Sequence, residues 1–175
     1  MMGNLKTEPA LDRPDLLAAP VEAALKGWNR PGVEVAAIDA GLADTAAFCA
    51  AYDVRLDESA NCVIVAGKRE GVTRYAACLL LATTRADVNG VVRKHLNVRK
   101  LSFAPMDDAV ALTGMEHGGI TPIGLPAEWP VLIDPRVLEA ASVVIGSGVR
   151  HGKLQIPGAL AAELPRAEIV EGLAR

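Results

Sequence analysis

At 175 residues and 51% hydrophobic content, the chain is long enough for one domain that buries a core without disulfide or metal staples. Phe, Tyr and Trp together make up only 3%, so the core is aliphatic, which argues against recognition by stacking several bases on an aromatic platform. A net charge of −3 gives no global nucleic-acid footprint, and any RNA contact must be local.

Residues 1–12 are polar and are expected to be loose. From Pro14 to Trp28, apolar residues recur at helical intervals, and Asn29-Arg30-Pro31-Gly32 ends that helix. Val33–Ile38 alternates as a strand does, and Asp44–Tyr52 returns to a helix with Asp44 or Asp39 as its cap. Two strands follow, Cys62–Ala66 and Arg74–Ala82, joined in a hairpin by the polar turn 67–71. Helices are expected at Asp87–His95 and Pro105–Leu112, the second stopped by Thr113-Gly114. Strands at Val131–Ile133 and Ser142–Ile145 bracket a helical turn over Pro135–Ala140. A strand at Leu154–Ile156, a helix at Pro157–Leu164 and a closing strand at Ala167–Val170 complete the order. Hairpins mixed with single crossovers predict an α+β (mixed α/β) single domain with a mixed sheet and flanking helices.

The three cysteines, Cys49, Cys62 and Cys78, are widely spaced, without a CxxC pair, and are expected to be reduced, buried hydrophobes. His95, His117 and His151 form no ligand spacing, so no metal site and no cofactor is expected. With no apolar run of membrane-spanning length and no signal-peptide order at the start, a cytoplasmic location away from the membrane is expected.

The segment Gly118-Gly119-Ile120-Thr121-Pro122-Ile123-Gly124 carries the chemistry. Its glycines permit close backbone approach to a ligand, and Pro122 stiffens the turn, which suits a pocket floor built from main-chain N–H groups. A short apolar run from Pro130 then ends on Asp134. A plainer reading of the same residues is a tight turn followed by an Asp helix cap before Pro135. Arg93, Lys94, His95, Arg99 and Lys100 form an acid-free basic cluster suited to RNA phosphates, or to a solvated helix end; Arg150 and Lys153 form a second, smaller group.

In this order of elements, the loop at 118–124 resembles the GxxxP loop of the YbaK/ProX family, the aminoacyl-tRNA editing domains related to the insertion domain of bacterial prolyl-tRNA synthetase. The resemblance covers residues 32–175 and leaves 1–31 as an N-terminal extension whose helix packs on the domain. It implies a mixed sheet curled around a pocket and a deacylase that hydrolyses the ester of mischarged tRNA in trans. It also implies aminoacyl-tRNA as partner at its acceptor end, with an aminoacyl-tRNA synthetase as a further partner. By resemblance, Gly118, Gly119, Ile120, Thr121 and Pro122 hold the aminoacyl-adenosine end, with Gly146 and Ser147 at the rim. Asp134 orients substrate or water, and Arg93, Lys94, Arg99 and Lys100 meet tRNA phosphates. Where the family has a Lys-Thr pair whose lysine enters the pocket, this sequence has Asn61-Cys62. Asn61 takes the catalytic slot without a positive charge. A non-catalytic module of the same fold, binding aminoacyl-tRNA, a small ligand or a synthetase, is the alternative. A cysteine-dependent enzyme using Cys62 is a third reading.

Overall fold

In the computed structural model, which describes residues 2–175, the chain departs from expectation at its start. Residues 2–12 are ordered against the domain. β1 (Thr7–Pro9) pairs antiparallel with β2 (Glu34–Ala37), and Met2 and Leu5 are buried in one cluster with Ile38, Phe48 and Val144. The expected helix from Pro14 divides in two: a 3-10 turn over Pro14–Leu16, then α1 (Ala19–Trp28). Pro20 is the reason, since within a continuous helix its ring would collide with the carbonyl four residues earlier; at the first turn it is tolerated. Asn29 ends α1 in the left-handed conformation, φ 47°, with its N–H on the Leu25 carbonyl.

Next come α2 (Thr45–Tyr52) and the long hairpin of β3 (Ala60–Arg69) and β4 (Val72–Leu81). The polar turn contracts to Glu70-Gly71, both with positive φ (52° and 79°), the geometry that matches strand twist in a two-residue connection. The helix expected from Asp87 opens with a π-helical turn over Val88–Val92 and continues as α3 (Arg93–Leu96). β5 (Leu101–Phe103), which was not expected, then pairs with β3. α4 (Met106–Thr113), β6 (Val131–Ile133), α5 (Pro135–Glu139), β7 (Val143–Gly146), β8 (Gly152–Ile156) and β9 (Ala167–Ile169) complete the chain. The stretch expected as a last helix is a 3-10 helix, Gly158–Glu163.

The α+β class holds, and its strands divide between two sheets instead of one. The first runs β1-β2-β8-β7 and is antiparallel throughout. The second runs β5-β3-β4-β6-β9, mixed because β6 and β9 join β4 in parallel. β4 is central, and its residues 76–81 are buried on both faces, which explains the unbroken apolar run. Its odd positions, Ala77 and Leu79, pack in one core with Val35, Ile145 and Leu154 of the first sheet. Its even positions, Cys78 and Leu80, pack with Val92, Val98 and Leu173. A parallel bridge between Ser59 and Val144 joins the start of β3 to β7, so the two sheets touch along their rims. Among the described residues, no helix is long and apolar enough to cross a membrane.

Leu5 is 1% exposed. Leu5→Ala should therefore lose about 3 kcal/mol of stability by urea denaturation, as cavity-creating core truncations do. A loose N-terminal segment would give no measurable change.

Candidate functional site

The glycine-rich loop takes its shape from a second loop. The N–H of Glu116 donates to the Gly148 carbonyl (2.8 Å), and the N–H of Gly148 donates back to the Gly119 carbonyl (2.7 Å). The Arg150 side chain donates to the His117 carbonyl (3.0 Å), while its N–H donates to the Glu116 carboxylate (2.9 Å). Gly146 permits the contact: a Cβ there would lie 2.5 Å from the Gly119 carbonyl oxygen and 2.7 Å from that of Ile120. Within this zipper the N–H of Gly119 is used by Glu116 and that of Thr121 by the Met115 sulfur. The N–H groups of Gly118 and Ile120 donate to no protein acceptor among the described residues.

Gly118 and Ile120 line a cavity of 310 Å³ at the junction of the sheets. Asn61 on β3, Gly146 on β7, Thr45 at the start of α2 and His117 also line it. The Asn61 side-chain oxygen accepts a 2.6 Å bond from the Thr45 hydroxyl, which fixes the amide with its nitrogen still available.

Of the residues expected at the site, the structure brings Asn61, Gly118, Ile120 and Gly146 to this one cavity. Gly119 is buried in the zipper, with its Cβ position 2.8 Å from the Val149 backbone. Thr121 is fully buried, and its hydroxyl meets no partner among the described residues. Pro122 lines a separate apolar groove with Trp28 and Trp129. Ser147 is fully buried, and its hydroxyl is 3.4 Å from the Val149 carbonyl.

Asp134 does not reach the cavity. It is 2% exposed and caps α5, accepting from the Arg136 N–H (2.9 Å), the Arg136 guanidinium (2.9 Å to each oxygen) and the Ala174 N–H (3.2 Å). Burial alone would push this carboxyl up, but the Arg136 side chain, with the two backbone donors, holds it below the usual carboxylate range. The plainer reading of Asp134, a helix cap before Pro135, describes this geometry. Asn61 and Asp134 therefore do not form a catalytic pair across one space.

The sequence reading missed Lys153 as a cavity residue, grouping it with Arg150 as a second basic group suited to RNA phosphates. Lys153 is 8% exposed and lines the cavity, with its Nζ 3.0 Å from the Ala43 carbonyl. Burial pushes its pKa below the usual lysine value. The only signal available was strand alternation, and β8 is buried at Gly152, Lys153 and Leu154 alike, so alternation could not single it out. Cys62 lines the same cavity, but burial pushes its thiol up, away from the thiolate a nucleophile requires. Cys78, beside it in the sheet, is pushed up to about 12.

The basic cluster forms a second feature. Arg93, Arg99 and Lys100 line a cleft of 870 Å³ together with Lys68, which the lengthened β3 carries there; Lys94 lies outside its lining. The lining contains no acid.

A model of the aminoacyl-tRNA editing domain matches residues 39–163 of the chain. Among solved structures, a hypothetical protein superposes with a TM-score of 0.78 at 19% identity, covering 89% of this chain and 99% of that one. A protein described as a candidate trans-editing enzyme for prolyl tRNA synthetase superposes with a TM-score of 0.75 at 19% identity, covering 88% and 94%. A candidate signal transduction protein from Marinobacter aquaeolei VT8 superposes with a TM-score of 0.59 at 21% identity, over 90% of this chain but 31% of that one. No curated protein matches the sequence.

Asp134→Ala should lower stability by about 3 kcal/mol at neutral pH, because it strips charge-assisted bonds from Arg136 and leaves the Ala174 N–H without a side-chain acceptor. The native carboxyl is held below its unfolded value of about 3.9, so its contribution is complete above that pH and fades as pH falls through the folded value. Denaturation midpoints of the natural and variant proteins should therefore converge in acid.

Proposed function

Because this chain belongs to the aminoacyl-tRNA editing domain family, we propose that it is a deacylase hydrolysing the ester of mischarged aminoacyl-tRNA in trans. The observation that carries this reading is the pair of uncommitted N–H groups at Gly118 and Ile120, on the wall of a cavity that Asn61 also lines. Backbone donors held by a zipper stabilise an oxyanion without reorganising when the charge develops. Water attacks the ester carbonyl carbon, and the negative charge moves to the carbonyl oxygen facing those donors. The bond to the terminal ribose then breaks, one water proton passes to the ribose oxygen, the other is released to solvent, and the amino acid leaves as its carboxylate. An aminoacyl ester is already activated, so positioning and oxyanion stabilisation supply much of the rate without a strong base. Asn61, fixed by Thr45, orients the substrate through its amide nitrogen. The reading takes a small aminoacyl group such as alanine, cysteine or serine as the substrate.

In this reading the tRNA backbone runs along the cleft of Lys68, Arg93, Arg99 and Lys100, with a synthetase as a further partner that supplies mischarged tRNA. β3 connects the two features, with Asn61 near one end and Lys68 near the other. At about 3.3 Å per residue, that separation is about 23 Å, a span that a short single-stranded tRNA end bridges.

Asn61 gives the binding-module alternative its footing, since the slot carries no charge. Time-resolved deacylation of a panel of aminoacyl-tRNAs separates the two. The expected result is selective hydrolysis of one small aminoacyl ester well above the spontaneous rate; binding with no hydrolysis of any panel member would leave the module. Arg99→Ala and Lys100→Ala should each weaken tRNA binding across tRNA sequences and reduce the slope of log affinity against log salt by about 1.

A further inference from the structure

Lys153 is the one buried lysine or arginine among the described residues, and none of their carboxylates lies within ion-pair distance of it. Of its three donors, one meets the Ala43 carbonyl at 3.0 Å, and the face of the Phe48 ring lies 5.2 Å from Nζ. Two donors have no protein acceptor among the described residues. An ammonium held this way has given up hydration without full compensation from the fold, and such a group calls for an anionic partner in the space it lines.

Its position along the strand says where that partner sits. Lys153 is the direct cross-strand partner of Gly146. Opposed residues of an antiparallel pair share a sheet face, about 5 Å apart. On that face Gly146 has no side chain, and the loop carbonyls of Gly119 and Ile120 occupy the position a Cβ would take. The lysine therefore rises from β8 beside the loop whose Gly118 and Ile120 N–H groups are uncommitted. Asp44, the nearby acid, is no counter-ion: its side chain is 75% exposed and its carboxylate lies 3.9 Å from Arg150.

Resting on the hydrolase reading above, we infer that Lys153 is a catalytic residue whose ammonium donates to the ester carbonyl oxygen as that oxygen becomes negative. It acts from β8, together with the N–H groups of Gly118 and Ile120. Positive charge thus enters the cavity from the first sheet, while the β3 slot is filled by the neutral Asn61. The role differs from holding a phosphate, because the charge it meets exists only once the carbonyl is attacked.

The test is steady-state deacylation by the natural protein, Lys153→Met, Lys153→Arg and the double variant Asn61→Lys/Lys153→Met, with folding checked by circular dichroism. An oxyanion donor should show as a fall in kcat of about 100-fold in Lys153→Met with KM within about twofold. Lys153→Arg should keep part of the rate, and the double variant should regain part by returning the charge from β3. A natural protein that hydrolyses, with Lys153→Met folded and equally active, would overturn the inference and leave the hydrolase reading standing. A rise in KM alone would also overturn it, marking Lys153 as a ground-state binder. No hydrolysis by the natural protein would overturn both.

Discussion

The close approach of two loops at Gly146 is the constraint on which the site depends. Reciprocal backbone bonds between 116–119 and 148, tied down by Arg150, hold the glycine-rich loop against the end of β7. Within the loop so held, the N–H groups of Gly119 and Thr121 are spent on the Glu116 carbonyl and the Met115 sulfur, while those of Gly118 and Ile120 have no protein acceptor among the described residues. The contact also joins the second sheet's long connection between β4 and β6 to the rim of the first sheet. The cavity thus lies where the two sheets meet, with Ser59 and Val144, the residues of the bridge between them, in its lining.

Much of this fold was legible because local and tertiary preferences agree. The β3–β4 hairpin, α2, α4 and β6 stand where periodicity and turn chemistry put them. The elements that escaped, β1 and β5, are three-residue edge strands whose conformation comes from the neighbour they pair with, not from their own residues. Residues 2–12 looked loose because their apolar residues follow neither a helical nor a strand period; burial of Met2, Leu5 and Ala10 and the pairing of β1 with β2 dock the segment.

The site was legible in part, and the division has a physical basis. Glycines announce close backbone approach, so Gly118 and Gly146 could be found from sequence. Which N–H groups remain free depends on how the loop folds back on Glu116 and Met115, and no spacing rule reports that. Asp134 and Lys153 both stand elsewhere than expected for the same reason. A carboxylate before Pro135 fits a helix cap and a pocket equally well until its partners, Arg136 and Ala174, are seen. A lysine near Arg150 fits a contact to RNA phosphates until β8 turns out to be buried at that position.

The cavity walls come from segments scattered between residues 43 and 153 and from both sheets, so no fragment of the chain owns the site. A ligand seated there contacts both sheets at once. Its binding energy is accordingly added to the cohesion of the whole domain. By mass action, a ligand at a hundred times its dissociation constant contributes about 2.7 kcal/mol to the folded state. Occupancy of this junction and survival of the fold are therefore one linked equilibrium, and any ligand that fills the cavity holds more of the protein folded.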